Sequence, residues 1–175
     1  LTLLAESTIL LDNLPQARDI LESFLPTSNA PENLLAVYLA VLRHLGDTPT
    51  AAARLSQQTP LLPYLANEAY LLDPATPLRY NLPANPDALA DQSLHQVEMI
   101  LESLLPYFRL NLVDDLETLL TAAAKAYPVL RKHPTTHLLR CAVAGRRQKD
   151  SAALQCAKAA EACSTLYIFP HRSEE

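Results

Sequence analysis

The pattern Leu11-Asp12-Asn13-Leu14-Pro15-Gln16-Ala17-Arg18-Asp19-Ile20-Leu21 recurs 34 residues later as Leu45-Gly46-Asp47-Thr48-Pro49-Thr50-Ala51-Ala52-Ala53-Arg54-Leu55. Both copies have an Asn or Asp in a polar turn, then a Pro, an Ala and a Leu at the same spacings. Proline in the first turn of a helix loses no hydrogen bond, and Asn or Asp just before it caps free N–H groups. The Ala and the Leu then lie on one side of the helix. Each copy therefore predicts a turn that opens the second helix of a helix–turn–helix pair.

A helix pair with a 34-residue period resembles the tetratricopeptide repeat. The resemblance is strongest over residues 1–58, weaker over residues 113–166 and weakest between them. The small residue that opens the second helix of such a repeat is present as Ala17, Ala51 and Ala153, whereas Leu or Ala replaces the usual Trp and Gly of the first helix. The resemblance implies stacked antiparallel helix pairs with a curved open surface that suits a peptide or helix of another protein.

The composition favours helices and disfavours other fold classes. Two glycines in 175 residues make all-β folds, dinucleotide fingerprints and phosphate-binding P-loops improbable together. Leu and Ala dominate, and most of the 14 prolines fall between apolar runs. We therefore predict an all-α fold, an α-solenoid of antiparallel helix pairs with about eight or nine helices. A single domain is expected over residues 1–166, with a loose tail over residues 167–175.

A proline-rich stretch interrupts the repeat. Residues 73–86 contain four prolines in 14 positions, a density that a helix interior does not tolerate. Two interpretations remain open, a surface loop that joins two helical halves and a docking loop that lies in a groove. A long helix should follow from Asp87, which Pro106 is expected to end or kink, and Asp114 and Asp115 should open the next one.

Basic and acidic residues are unevenly distributed along the chain. Residues 1–124 carry 5 basic and 15 acidic side chains, whereas residues 125–149 carry 7 basic side chains and no acidic one. Arg140 and Arg147 are seven positions apart and should project from nearly the same side of a helix. Leu138 and Ala142 are expected to pack inward from the opposite side. The run could instead be a solvated face, or could neutralise acidic neighbours in the same molecule.

Our hypothesis is that the basic run forms a patch that binds an acidic segment of another protein. Guanidinium groups on one helix face grip carboxylates in two-pronged pairs, and similar repeat domains use basic clamps in this way. The predicted partner-binding residues are Arg140, Arg147, His137, Arg146 and Lys149.

Three other groupings carry weaker signals. Zinc accepts ligands of the kind and spacing of His133, His137 and Cys141, but a fourth ligand is missing, and we expect two surface histidines and a buried thiol. Cys156 and Cys163 share a helix face with alanines and are expected to be small buried thiols packed among them. His95, Glu98 and Glu102 resemble half of a carboxylate metal site. We expect no metal, no cofactor and no catalytic residue.

The sequence therefore favours a protein–protein interaction module, such as an adaptor, scaffold or chaperone. The alternative is a ligand-sensing helical-repeat domain of a larger transcription factor or ATPase, with tyrosines near the proline-rich stretch lining a cavity. An enzyme would need polar residues with shifted pKa values in one cleft. The net charge of −5 argues against nucleic acid, and no apolar run is long enough to span a membrane. Three cysteines and a start without Met favour a cytoplasmic piece of a longer protein.

Overall fold

The computed structural model describes residues 2–25, 31–58, 61–80 and 92–163 of the chain. Every regular element within these ranges is helical. The α-helices are α1 Thr2–Leu10, α2 Leu14–Glu22, α3 Glu32–His44, α4 Thr48–Leu55, α5 Pro63–Leu72, α6 Gln92–Arg109, α7 Val113–Ala126, α8 Pro134–Arg146 and α9 Asp150–Glu161. The all-α prediction is therefore confirmed over the described residues, where nine α-helices occur.

Two features differ from the predicted helices. A short 3-10 helix, Pro128–Lys132, lies between α7 and α8 and was not predicted. Helix α6 continues through Pro106 to Arg109, so the expectation that Pro106 could end the helix is wrong. Proline removes one N–H donor, but the carbonyl of Pro106 still accepts from the N–H of Leu110 at 2.8 Å. The helical hydrogen-bond pattern therefore continues after the proline.

Four turns with the same backbone geometry connect consecutive helices. Asp12, Gly46, Asn111 and Gln148 each have a positive φ, between 56 and 82°, in the turns α1–α2, α3–α4, α6–α7 and α8–α9. In each turn the N–H of the next residue donates to the carbonyl five positions earlier, at 2.9 Å. This is the Schellman pattern that ends helices. The two helices joined by each turn pack against each other.

The predicted caps are present in the first two of these turns. The Asn13 side chain accepts from the N–H of Gln16, and the Asp47 side chain accepts from the N–H of Thr50. Ala17 and Ala51, each four residues after the cap, are completely buried. The local part of the repeat pattern therefore behaves as the sequence predicts.

The buried apolar side chains form two clusters. The first cluster is built mainly from α1, α2 and α3, with Ala51 of α4, Leu65 of α5 and Leu110 of the α6–α7 turn. The second is built from α6, α7 and α8, with Ala66 of α5 and Leu130 of the 3-10 helix. Helix α5 contributes neighbouring residues to both clusters, so it lies at their junction.

The described part of the proline-rich stretch is irregular, as predicted, but it is not a surface loop throughout. Leu78 and Tyr80 are 6% and 8% exposed and belong to the second cluster. The Tyr80 hydroxyl donates to Asn67 at 2.8 Å, and the Tyr80 N–H donates to the Tyr127 hydroxyl at 3.0 Å. The surface-loop interpretation therefore does not fit the side chains of Leu78 and Tyr80, whereas residues 73–77 and Arg79 are exposed, and the choice between the two interpretations stays a prediction for the stretch as a whole. The predictions for residues 81–86, for Asp87 and for the tail over 167–175 lie outside the described residues.

Candidate functional site

A cleft with a volume of about 270 Å³ lies between α7, α8 and α9. Each helix contributes side chains at helical spacing, and the α8–α9 turn contributes two cations. The lining residues are Glu117, Leu120, Thr121, Arg140, Val143, Ala144, Arg147, Lys149, Ala152 and Cys156. The cleft thus combines apolar side chains with three of the five predicted partner-binding residues, Arg140, Arg147 and Lys149.

The three cations of the cleft differ in how they are paired. Arg147 forms ion pairs with Asp114 and Glu117 on α7, so part of the basic run does neutralise acidic neighbours in the same molecule. In the part of the chain that the structure describes, the side chains of Arg140 and Lys149 have no hydrogen-bond or ion-pair partner. These two cations are therefore the ones that an incoming anion can bind without displacing another group.

The structure does not bring the other two predicted residues into this cleft. Arg146 lies over the ring of Phe108, with its guanidinium carbon 4.4 Å from the ring centroid. It also donates to the carbonyl of Phe108 at 2.6 Å, so it connects α8 to the end of α6. His137 is partly buried on α8 and does not line the cleft.

The face of α8 that packs inward differs from the predicted one. Leu139 and Val143 are each 5% exposed, whereas Leu138 is 55% exposed. The expectation that Leu138 packs inward is wrong, because the buried stripe is shifted by one residue. Arg140 and Arg147 nevertheless line the same cleft, as their spacing predicts.

Lys149 occupies the position that the capping residues Asn13 and Asp47 have in the α1–α2 and α3–α4 turns. It lies 102 residues, or three 34-residue periods, after Asp47. Asn13 and Asp47 cap their helices, but no side-chain hydrogen bond caps α9. A lysine has no acceptor atom, so this turn carries a cation where the repeat pattern would place a capping oxygen.

A second group of charged side chains is enclosed at the junction of the two apolar clusters. The Arg43 guanidinium on α3 donates to Glu68 on α5 at 3.3 Å and to both carboxylate oxygens of Asp115 on α7, at 3.1 and 2.6 Å. Asp115 also bonds Nε2 of His44 at 2.8 Å, and the Tyr107 hydroxyl donates to Glu68 at 2.6 Å. We call these five residues the junction network. It joins four helices.

Ionisation within the junction network is shifted by burial and by pairing. Burial raises the pKa of Glu68, although Arg43 opposes the shift, and burial with the neighbouring Glu68 raises the pKa of the Tyr107 hydroxyl. Burial also opposes ionisation of Asp115, but hydrogen bonds from His44 and Arg43 hold its pKa below the ordinary value. Glu68 is completely buried and Asp115 is 8% exposed, so the network connects helices rather than lining an open cleft.

The structure also locates the other side chains that the sequence singled out. His133 is completely buried, so the expectation of a surface His133 is wrong. The expectation of buried thiols is also wrong, because Cys141, Cys156 and Cys163 are all only partly buried. Nδ1 of His133 accepts from the N–H of Thr135 at 3.3 Å, which caps α8. Burial lowers the pKa of His133. No metal-binding group of three His, Cys, Asp or Glu occurs in the described ranges; the His95 side chain lies outside them.

The apolar and acidic residues of α7 are the part of the cleft that sequence reasoning missed. Asp114 was interpreted only as a helix-opening residue, and Glu117 and Leu120 were not singled out. Their contacts with α8 and α9 cross 20 or more positions of the chain, which helical periodicity does not report. The one local signal is that acidic residues occur at the start of α7 and a basic run occurs in α8 and the turn after it.

Comparisons with known proteins give no relative on which a function could be based. No family model, curated protein or solved structure matches the chain. No helix in the described ranges has the length and apolar character that a membrane crossing requires.

Proposed function

We propose that this chain is a tetratricopeptide-like helical-repeat module that binds an acidic segment of another protein in the cleft between α7, α8 and α9. The repeat assignment is supported by the four equivalent turns, three of which fall on the 34-residue period, at Asp12, Gly46 and Gln148. Stacked helix pairs leave open surfaces between neighbours, and such surfaces bind segments of other proteins.

The observation that carries the proposal is the pairing of charges in the cleft. Arg140 and Lys149 line it without a partner among the described residues, whereas Arg147 beside them is held by Asp114 and Glu117. Arginine and lysine next to apolar Leu120 and Val143 complement a segment that has both carboxylates and apolar side chains. The proposal requires no cofactor and no metal.

The ligand-sensing alternative has less support. It expected tyrosines near the proline-rich stretch to line a cavity. Tyr80 and Tyr127 instead contact each other, with ring centroids 5.4 Å apart, and both hydroxyls take part in hydrogen bonds inside the molecule. We therefore favour a protein partner, and the three free cysteines fit the cytoplasmic location that we propose for it.

Comparative affinity capture tests the proposal. The wild-type chain, the cleft variant Arg140→Glu with Lys149→Glu, and the control variant Lys125→Glu with Lys132→Glu are expressed as baits in the same host cells. The control changes the net charge by the same amount at exposed positions outside the cleft. We expect the wild type and the control to capture a common protein that the cleft variant does not capture. If all three baits capture the same proteins in equal amounts, the proposal is wrong.

A further inference from the structure

Helix α9 is less enclosed than every other α-helix in the described part of the chain. It has no buried residue, whereas each of the others has at least one. Among the described residues it packs mainly against α8, and Ala152 and Cys156 on it line the cleft. A helix that is half covered in this way can accept a further element on its open side.

The side of α9 that faces the cleft is apolar and carries small side chains. Ala152 and Cys156 line the cleft, and Ala159 continues the same side of α9 at helical spacing, all three being partly buried. This row extends for about 10 Å, at 1.5 Å per residue. Small side chains of this kind allow the backbone of another segment to approach closely. The row would therefore contact about two turns of an added helix.

The helices that line the cleft determine which backbone conformation of a bound segment is favoured. All three walls are α-helices, whose backbone N–H and C=O groups are already bonded within each helix. An extended segment would find no sheet edge with which to pair, so its backbone groups would depend on water and on the few polar side chains of the cleft. A helical segment satisfies these groups internally, so burying it costs less.

We infer that the occupant of the cleft is an amphipathic α-helix with an apolar stripe flanked by acidic side chains. The stripe packs on Ala152, Cys156 and Ala159, and the acidic side chains bind Arg140 and Lys149. Charge complementarity selects this chemistry, because both cations lack partners among the described residues and lie in the same cleft as the small side chains. The inference rests on the proposed function and adds the conformation of the bound segment.

Three synthetic peptides of 16 residues test the inference with the intact chain. The first places Leu at i, i+3, i+4 and i+7 with Glu beside the stripe. The second has the same residues in scrambled order, and the third has the first sequence with one central Pro. Fluorescence anisotropy at low salt measures the three dissociation constants. We expect the first peptide to bind at least tenfold more tightly than either of the others.

Two variants of α9 test which side of α9 the bound helix contacts. Ala159→Glu adds a carboxylate to the small-residue side, and Leu154→Glu adds one to the opposite side, where Leu154 is 58% exposed. We expect the first variant to weaken binding of the amphipathic peptide at least tenfold, and the second to change it less than twofold. The melting temperatures of both variants are measured alongside.

Each remaining outcome overturns the inference in a distinguishable way. If the amphipathic and scrambled peptides bind equally and both are lost with Arg140→Glu and Lys149→Glu, the cleft binds acidic segments of any conformation. The inference then fails while the proposed function stands. If none of the peptides binds, the inference also fails, and comparative capture decides the proposed function. Equal weakening by Ala159→Glu and Leu154→Glu would show that the helix does not lie on the small-residue side.

Discussion

The guanidinium of Arg43 on α3 holds both carboxylate oxygens of Asp115 on α7, at 3.1 and 2.6 Å, across 72 positions of the chain. This contact lies where the two apolar clusters meet: Leu110 of the α6–α7 turn belongs to the first cluster, and Leu112, three positions before Asp115, packs against both. The junction network therefore links two parts of the core that share few apolar residues. Its contribution can be measured.

Asp115→Asn should destabilise the chain by about 1.5–3 kcal/mol at neutral pH, because it removes charge-assisted hydrogen bonds to Arg43 and His44. Asp114→Asn is the matched control, because it makes the same change one position away at an exposed side chain. An exposed ion pair contributes about 0–1 kcal/mol. Urea unfolding measures both variants. Equal losses would contradict a special role of the junction network.

The same variant should have a characteristic pH dependence. The pKa of Asp115 in the folded chain lies below its ordinary value of 3.8, so its ionised form stabilises the folded state. That stabilisation is present above this ordinary value and is lost as the pH falls through the lowered pKa. The difference in free energy of unfolding between wild type and Asp115→Asn should therefore shrink at acidic pH. A difference that stays constant down to pH 2 would show that ionisation of Asp115 is not its source.

The two buried alanines of the repeated pattern should not tolerate larger side chains. Ala51 is completely buried, whereas its neighbour Ala52 is exposed. Ala51→Leu should cost about 1–3 kcal/mol, because the added carbons overpack the contact of α4 with its neighbours. Ala52→Leu adds the same carbons on the exposed side and should change stability by less than about 0.5 kcal/mol. Thermal unfolding compares them, and equal melting temperatures would refute the assignment of the buried face.

Tyr127→Phe should make the backbone amide of Tyr80, in the proline-rich stretch, less protected from hydrogen exchange. The Tyr127 hydroxyl accepts the N–H of Tyr80, so its removal leaves this amide without its acceptor. We expect the Tyr80 amide to exchange at least tenfold faster in the variant. The Thr76 amide, which donates to Asp73 in the same stretch, serves as the control and should not change. Hydrogen exchange followed by NMR gives both rates, and rapid exchange of Tyr80 in the wild type would contradict its packing.

Lys149→Asn should stabilise the fold and weaken partner binding at the same time. Asparagine can cap α9 as Asn13 caps α2, and such a cap is worth about 1 kcal/mol. The same change removes one of the two cations of the cleft that have no partner among the described residues. The reciprocal change Asp47→Lys should destabilise α4 by a similar amount. Opposite signs of the two stability changes are expected in urea unfolding. If Lys149→Asn is neutral or destabilising, the equivalence of the turns at Asp47 and Lys149 is wrong.

The features that the sequence predicted correctly are local ones. The caps Asn13 and Asp47, and the alanines four residues after them, depend on spacings of a few residues within one turn and one helix. Gly46 marks its turn because a positive φ favours glycine. Asn111 is a weaker signal of the same kind, because asparagine adopts a positive φ more readily than most residues, whereas Gln148 carries no such signal.

The features that the sequence could not predict depend on contacts between distant residues. Nothing near Arg147 indicates that Asp114 and Glu117, more than 25 positions earlier, will pair with it, while Arg140 finds no partner among the residues that the structure describes. The wrong orientation of Leu138 has a similar cause. A helix wheel with apolar residues at 138, 139, 142 and 143 permits two neighbouring stripes, and packing against α7 selects Leu139 and Val143.

The central claim is that Arg140 and Lys149 bind an acidic segment of a partner, and titration calorimetry tests it most directly. The partner identified by comparative capture is titrated with wild type, with Arg140→Glu and Lys149→Glu, and with the control Lys125→Glu and Lys132→Glu, at low and at high salt. We predict that the cleft variant loses at least tenfold in affinity, about 1.4 kcal/mol, without a fall in melting temperature, and that salt weakens the wild-type complex. A cleft variant that binds as tightly as the wild type would contradict the account.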